Sequence, residues 1–326
     1  MMTTKKLIVV LGMHRSGTSA ITRGLQVLGI NLGTFLMPPA LDNPKGFWED
    51  LDVVRINEAL LAEIQSSWDR VGLLDIDMAH ASRAIMELKK NAQTTLANKF
   101  ACVDTFAIKD PRLPRLLPFW QRIFSSIEIE VAYVIVLRNP LSVADSLAQR
   151  DKFDPVKSYQ LWHEHLLTAI YYTQGQPRVV VDYDKFLSDP EITLRRITNQ
   201  LQLGIINPDE LKEYKEVFLD YNLRHTYYTR KDVLEAQCVP QGIRDIYPII
   251  TDCAEDIRNS DDHELIAMVT QQMGLLRGFS PVLNLLSRLD YQNQLLEEQN
   301  QRLATELEAT QQSSQAQADE LNAALR

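Results

Sequence analysis

The chain has 326 residues, of which 45% are hydrophobic, and this length suffices for the buried core of one large domain or two small ones. Its 34 basic and 43 acidic residues give a formal net charge of −9, which argues against a general nucleic-acid-binding protein. The three cysteines are far apart and show neither zinc nor redox spacing, so a disulfide framework is not indicated. Since no apolar stretch is long enough to span a bilayer, we expect a cytoplasmic protein without a membrane span.

The first predicted elements are a strand and a helix that flank a glycine-containing loop. The apolar residues 6–11 are typical of a buried strand, and residues 20–28 have the spacing of an amphipathic helix. The loop between them, residues 12–19, reads Gly-Met-His-Arg-Ser-Gly-Thr-Ser. Because the backbone N–H groups of such a loop and the amino end of the following helix attract negative charge, the segment predicts an anion-binding site.

This loop differs from the loop of nucleotide triphosphatases at one decisive position. Gly12 and Gly17 keep the triphosphatase spacing, but Thr18 occupies the position of the required lysine, and Arg15 is the only cation. We therefore expect the loop to hold a phosphate-like group, and we do not expect ordinary hydrolysis of ATP or GTP.

Strands and helices continue to alternate along the chain. Helices are predicted over residues 51–64 and about 78–96, and strands over residues 103–108, 130–137 and 178–181. This alternation predicts an α/β fold, with a mostly parallel sheet flanked by helices like that of the P-loop nucleotide kinases.

One edge of the predicted sheet collects anion-binding side chains. In parallel sheets, ligands lie beyond the carboxyl ends of the strands. The residues that follow the four predicted strands are Arg15, Lys109, Arg138 and Tyr183. Three cations and one aromatic residue are therefore expected at one edge, which favours an anionic ligand over four unrelated solvated loops.

The end of the chain has a different composition. Glycine and cysteine are absent from residues 283–326, where Gln, Glu, Leu and Ala dominate. Leucines recur every seven residues at Leu289, Leu296 and Leu303, with Leu307 and Leu321 near the complementary positions. The pattern predicts a helical, coiled-coil-like tail that follows an α/β domain at residues 1–282. A homo-oligomer formed through this helix, a linker and a single solvated helix are all compatible with it.

A second anion site is predicted where the strand at residues 130–137 ends. Arg138 follows the strand, Pro140 opens a helix, and Ser146 lies two turns along that helix. An arginine and a helix-borne serine can hold one phosphate from two sides. Taken alone, Arg138 could equally cap a neighbouring helix.

With these motifs, the chain resembles the sulfotransferases that use 3′-phosphoadenosine 5′-phosphosulfate (PAPS). The family's 5′-phosphosulfate loop is matched by residues 15–19, and its 3′-phosphate pair by Arg138 and Ser146. The tract at residues 181–190 is similar to the family's strand-to-helix turn, whose tyrosine, here Tyr183, reaches the cofactor. The resemblance covers about residues 5–205.

The resemblance implies transfer of a sulfuryl group from PAPS to a hydroxyl-bearing acceptor such as a carbohydrate, a lipid or a small metabolite. The implied cofactor-binding residues are His14, Arg15, Ser16, Gly17, Thr18, Ser19, Arg138, Ser146 and Tyr183. Because PAPS has two separate anionic groups and no triphosphate, we expect two anion sites and no metal. The sequence contains no cluster of metal ligands, since His163 and His165 would face different sides of a helix.

Sulfuryl transfer also needs a cation near the leaving oxygen, and Lys109 is the expected one. It ends a strand in Ile-Lys-Asp-Pro, which is similar to the Lys-Asp-Pro of the protein-tyrosine sulfotransferases. The alternative is that Lys109 forms an ion pair with Asp110 or lies on the surface.

The acceptor hydroxyl needs a base, and Glu49 is the expected one. Phe47 and Trp48 lie beside it in sequence and can exclude water, which would raise the pKa of its carboxyl. One alternative is that Glu49 only favours the amino end of the next helix, as Asp50 is expected to do. The other is that His14 is the base.

Two other functions fit part of the pattern. A P-loop small-molecule kinase would explain the loop and the sheet, but it needs a phosphate-binding lysine and a magnesium-binding carboxylate that the sequence does not place. A non-catalytic nucleotide-binding protein that assembles through its tail would explain the tail. Binding of adenosine 3′,5′-bisphosphate but not ATP would distinguish a sulfotransferase from the kinase. Sulfate incorporation into an acceptor would exclude the non-catalytic nucleotide-binding protein.

Overall fold

A four-stranded parallel sheet flanked by helices organises the chain in this computed structural model, which describes residues 5–41, 43–74, 76, 78, 81–220 and 226–325. The strands are β1 (Lys6–Leu11), β2 (Thr105–Lys109), β3 (Glu130–Leu137) and β4 (Arg178–Asp182). The helices are α1 (Thr18–Gln26), α2 (Leu51–Glu63), α3 (Arg83–Lys99), α4 (Leu113–Phe124), α5 (Pro140–Asp151), α6 (Pro155–Tyr172), α7 (Tyr183–Ser188), α8 (Pro190–Leu201), α9 (Pro208–Glu213), α10 (Arg230–Glu235), α11 (Gln241–Ala254) and α12 (His263–Ala324), with a π-helix at Tyr214–Phe218. The predicted α/β fold class is confirmed.

The sheet has the strand order β2-β1-β3-β4, and each neighbouring pair is parallel. The first strand of the chain is therefore central, because β1 pairs with β2 on one side and with β3 on the other. Parallel pairing places the carboxyl ends of all four strands at one edge, so the segments that follow them meet there.

Both faces of the sheet are covered. Ile8 and Val10 belong to a core cluster that includes residues of α1 and α8. Leu7, Val9 and Leu11 point to the other face and are equally buried. A strand that is buried on both faces explains why the sequence of β1 is continuously apolar instead of alternating.

Polar caps fix where the helices around the sheet edge begin. Asp50 accepts hydrogen bonds from the backbone N–H groups of Asp52 and Val53, which starts α2. Asn139 accepts from the N–H of Leu141, and Pro140 follows as the first residue of α5. These caps place the segments before α2 and α5 directly at the carboxyl ends of the strands.

The chain divides into two compact units, Met1–Gly278 and Phe279–Arg326. Helix α12 begins at His263, earlier than the composition of the tail predicts. The reason is that Leu265, Val269, Met273 and Leu276 are buried at helical spacing within the first unit. No helix of the described residues is long and apolar enough to cross a membrane.

Candidate active site

The segments that follow the strands surround one cavity of about 480 Å³. Of the residues that the sequence singles out, His14, Arg15, Gly17, Thr18, Ser19, Glu49, Lys109, Arg138, Ser146 and Tyr183 line it. Ser16 is the exception, because it is buried and lines a separate small cavity together with Gly12 and Trp162. One residue from each of the four strand ends therefore contributes to a single site.

The amino end of α1 lies at the wall of this cavity. Gly17 is the N-cap residue, with φ at 80°, and no side chain of the described residues caps the helix. Helix N-termini carry backbone N–H groups without intrahelical partners and a partial positive charge. Because Gly17, Thr18 and Ser19 all line the cavity, this end of the helix is placed to bind an anion.

Thr18 fills the position at which triphosphatases have a lysine. Its side chain is buried and packs so close to Gly12 that a Cβ atom on Gly12 would lie 2.7 Å from Thr18 Cγ2. Position 18 therefore contributes packing instead of charge, and the cations of the cavity come from other positions, such as Arg15 in the same loop and Lys109 and Arg138 in other segments.

Two arginines and a serine form a cluster on one side of the cavity. The Nε atom of Arg15 donates to Ser146 Oγ at 2.8 Å, and Arg138 Nη1 donates to the backbone carbonyl of Arg15 at 2.6 Å. Arg15 has φ at 65°, in the left-handed region that is uncommon for residues other than glycine. The backbone of the loop is thus bent so that its only arginine reaches the residue pair that follows β3.

Tyr183 connects this cluster to the loop. The guanidinium of Arg138 lies 5.1 Å from the centre of the Tyr183 ring, within the range of a cation–π contact. The same ring packs directly against Gly17, since a Cβ atom at position 17 would lie 2.0 Å from Tyr183 Cδ2. Glycine is therefore required at position 17 for two reasons, its positive φ and the closeness of the ring.

Glu49 and Lys109 form a buried ion pair on the other side of the cavity. Their Oε1 and Nζ atoms are 2.8 Å apart, and Nζ also donates to Ser19 Oγ at 3.3 Å. Only 5% of Glu49 and 2% of Lys109 are exposed. Burial raises the pKa of the Glu49 carboxyl, and the charge of Lys109 opposes that rise.

The neighbouring carboxylates have other partners. Asp110 accepts from Arg112 Nη1 at 3.0 Å and from Asn57 Nδ2 at 2.9 Å. Lys109 therefore forms its ion pair with Glu49 and not with the adjacent Asp110. Asp50 caps α2, as expected, and pairs with Lys99 at 2.6 Å. Of these two adjacent carboxylates, Asp50 caps the helix and Glu49 lines the cavity.

The two aromatic residues before Glu49 face different surroundings. Phe47 lines the cavity, and its backbone carbonyl accepts from Ser19 Oγ at 3.0 Å. Trp48 does not line the cavity, because its backbone has φ at 57° and its ring packs edge-to-face on Phe218. Arg23 lies over that Trp48 ring at 5.7 Å. Of the two aromatic residues that the sequence suggests could exclude water from Glu49, only Phe47 lines the cavity.

His14 lines the cavity and stacks on Trp68, with 4.2 Å between ring centroids. Burial, followed by the charge of Arg112, holds the pKa of His14 well below its usual value. The imidazole is therefore neutral near pH 7 and a weaker base than an exposed histidine.

Sequence reasoning missed five further polar residues of the cavity wall: Asn43, Lys45, Gln149, Arg150 and Asp220. Gln149 and Arg150 lie on α5 three and four residues after Ser146, which places these three side chains on one face of that helix. This helical spacing was the signal that could have identified them. Lys45 lies in an irregular loop, where no such periodicity exists.

Comparison with known proteins gives matches among solved structures only. No protein-family model matches this chain, and no curated protein sequence matches it either. The chain is similar to a sulfotransferase domain from the curacin biosynthetic pathway (14% identity, 82% of this chain and 98% of that chain covered, TM-score 0.41). It is also similar to a sulfotransferase domain from the olefin synthase of Synechococcus PCC 7002 (14% identity, 83% of this chain and 95% of that chain covered, TM-score 0.37). A third similar structure is a sulfotransferase from Mycobacterium tuberculosis H37Rv (14% identity, 69% of this chain and 74% of that chain covered, TM-score 0.38). These identities and TM-scores are too low to assign an activity to this chain.

Proposed function

We propose that the chain is a sulfotransferase that moves a sulfuryl group from PAPS to a hydroxyl-bearing acceptor without a metal. The observation that carries this proposal is the presence of two anion-binding arrangements on one cavity: the amino end of α1, and the cluster of Arg15, Arg138 and Ser146. PAPS carries a 5′-phosphosulfate and a 3′-phosphate, which are two separate anionic ends. The cavity volume, about 480 Å³, also lies in the range of small-ligand sites.

The proposed binding residues divide between these two ends. Residues 15–19 would hold the 5′-phosphosulfate, and Arg138 with Ser146 would hold the 3′-phosphate. Arg15 connects the two groups, since its side chain contacts Ser146 and its carbonyl accepts from Arg138. Tyr183 would keep Arg138 and the loop in place through its ring.

The chain's own charges would serve the transfer. The donor supplies the sulfuryl group; Lys109 would stabilise the negative charge that develops on the leaving phosphate oxygen. Glu49, 2.8 Å from Lys109, would accept the proton of the acceptor hydroxyl. Burial raises the pKa of Glu49, which makes it a stronger base than an exposed glutamate, whereas burial lowers the pKa of His14.

The kinase alternative lacks support from the same residues. A P-loop kinase needs a lysine at position 18 and a carboxylate near the loop to hold magnesium. Position 18 is Thr18, and Glu49, a carboxylate of the cavity wall, is paired with Lys109. Of the strands beside β1, β2 ends in Lys109 and β3 is followed by Arg138, so both contribute cations. Among the described residues, no group of three or more His, Cys, Asp or Glu side chains could hold a metal ion. The charges around the loop therefore favour an anionic group over a metal–nucleotide complex.

Adenosine 3′,5′-bisphosphate is expected to bind in the presence of a chelator, because the proposed phosphate-binding groups are backbone N–H groups, cationic side chains and the Ser146 hydroxyl. Calorimetry with excess EDTA measures this binding, and ATP with magnesium is the control ligand. Binding of the bisphosphate only with magnesium, or tighter binding of ATP, would contradict the proposed function.

Arg138→Ala is expected to weaken binding of adenosine 3′,5′-bisphosphate by about 10- to 100-fold, as for the loss of a hydrogen bond to a charged group. Adenosine 5′-phosphosulfate, which lacks the 3′-phosphate, is expected to bind the variant and the unaltered protein alike. Titrations with both ligands measure the difference. Equal losses for both ligands would show that Arg138 acts by holding the Arg15 carbonyl instead.

The acceptor is proposed to be a carbohydrate, a lipid or a small metabolite that bears a hydroxyl group. Incubation of the protein with ³⁵S-labelled PAPS and a cell extract tests this, because the label would move to any acceptor that the extract contains. Label in no product, together with tight bisphosphate binding, would favour a non-catalytic nucleotide-binding protein.

A further inference from the structure

The second unit, Phe279–Arg326, carries an exposed apolar stripe. Its members are Phe279, Val282, Leu286, Leu289, Leu296, Leu303 and Leu307, each 46–60% exposed. The unit consists of one helical segment, and one helix cannot bury its own apolar side chains. The stripe therefore needs another surface to cover it.

The spacing of the stripe defines the geometry of that surface. With Phe279 at heptad position a, the a positions are Phe279, Leu286, Asn293, Asn300, Leu307 and Ser314, and the d positions are Val282, Leu289, Leu296, Leu303, Thr310 and Gln317. A seven-residue repeat sustained over this length is the pattern of a left-handed coiled coil. Another helix with the same repeat is the complementary surface.

We infer that this stripe binds a second copy of the chain as a parallel, in-register, two-stranded coiled coil. Asn293 and Asn300 carry the inference, because they occupy two successive a positions of an otherwise leucine-rich stripe. In a parallel, in-register dimer, each asparagine faces its counterpart in the other chain, and the two amides can hydrogen-bond to each other. Such buried asparagines specify two strands and fix the register.

The antiparallel arrangement is disfavoured by the same residues. In that arrangement the a positions of one chain face d positions of the other, so Asn293 and Asn300 would face side chains such as Leu296. A buried amide that faces leucine loses its hydrogen bonds, which destabilises the assembly.

The charges beside the stripe are compatible with a parallel pair of identical chains. In such a pair, each g residue faces the e residue five positions further along the other chain. These pairs are Leu285–Asp290, Gln292–Glu297, Gln299–Ala304, Glu306–Gln311 and Ser313–Ala318. No pair brings two acidic side chains together, although the segment is rich in glutamate.

Size-exclusion chromatography with light scattering on the full chain tests the dimer, and the expected mass is twice the chain mass of 37.3 kDa. Leu296→Asp is expected to give a monomer, because it places a charge at a d position of the seam. Leu295→Asp is the matched control, since Leu295 is the adjacent leucine, is similarly exposed, and lies at position c outside the seam. Circular dichroism checks that both variants remain folded.

A disulfide tests the orientation. In a chain with Cys102→Ser and Cys238→Ser, Val282→Cys is expected to form a disulfide-linked dimer on mild oxidation, since the two cysteines would face each other near one end of a parallel seam. Adding Leu296→Asp is expected to abolish the link. A monomer, a trimer, equal effects of the two aspartate variants, or a dimer without the link would each overturn the inference, which does not depend on the proposed activity.

Discussion

Glu49→Gln is expected to lower turnover by about a hundred-fold or more, as is typical when a general base is removed. Glutamine keeps a carbonyl oxygen that can accept from Lys109 Nζ, which lies 2.8 Å from the glutamate, so the geometry of the pair is preserved. What is lost is the ability to accept a proton. Affinity for adenosine 3′,5′-bisphosphate is expected to change little, because Glu49 would contact the acceptor and not the donor's phosphates.

Steady-state kinetics and calorimetry on the same preparation measure these two quantities. Asp50→Asn is the matched control, because it changes the adjacent carboxylate in the same way, and asparagine also caps helices well. Turnover of the control is expected to stay close to that of the unaltered protein. Unchanged turnover of Glu49→Gln would transfer the role of base to His14. Loss of turnover together with thermal stability would show that Glu49 serves the fold.

The pH dependence of turnover gives a second measure of the same residue. Burial raises the pKa of Glu49, and only its ionised form can accept a proton. Turnover is therefore expected to rise with pH through a pKa above the value of about 4.3 that is usual for an exposed glutamate. The rise is expected to be missing from the residual activity of Glu49→Gln. A rise that persists in the variant would belong to a different group.

Gly17→Ala is expected to lower the free energy of unfolding by about 2–5 kcal/mol, the sum of left-handed backbone strain and overpacking. The added Cβ atom would lie 2.0 Å from Tyr183 Cδ2, so the ring, the loop or both must move. Since Arg138 lies over that ring, the cluster that faces the cavity would be displaced with it. Bisphosphate binding is therefore expected to be lost together with stability.

Two variants separate the strain from the clash. Gly29 has a φ of 74°, close to the 80° of Gly17, and a Cβ atom there would meet no atom within 4 Å. Gly29→Ala is thus expected to show only the backbone strain, about 1–2 kcal/mol. In a Tyr183→Ala background the ring is absent, so Gly17→Ala is expected to lower the free energy of unfolding only by the backbone strain. Denaturant unfolding of the set measures both quantities, and equal losses for Gly17→Ala and Gly29→Ala would show that the contact with Tyr183 is unimportant.

The sheet could be predicted from sequence because its strands are buried on both faces. Strands β1 and β3 begin and end where their apolar runs do, at Lys6–Leu11 and Glu130–Leu137. Helix α3 begins at Arg83, later than its spacing predicts, because Ser82 caps it. A cap depends on a single side chain, and the periodicity that predicts a helix does not locate it.

The site residues that follow the strands could be predicted from the order of the elements alone. Arg138 and Tyr183 were placed by the rule that ligands lie beyond the carboxyl ends of parallel strands. The partner of Lys109 could not be placed in this way, since Glu49 lies in an irregular loop 60 residues earlier in the chain. The alternative partner, Asp110, was adjacent in sequence, but the backbone directs it to Arg112. Proximity in sequence is thus a poor guide to which charges meet.

The central position of β1 has a consequence for how the protein is made. Its partners are β2 and β3, so roughly a hundred residues must leave the ribosome before the strand has any neighbour, and such long-range parallel pairing forms slowly. Until then, Leu7, Val9 and the other apolar side chains of β1 face water, as a segment that invites aggregation or chaperone binding. Nascent chains that end before Tyr183 would also lack one wall of the cavity. Strand β1 therefore pairs only after the later strands β2 and β3 have been synthesised.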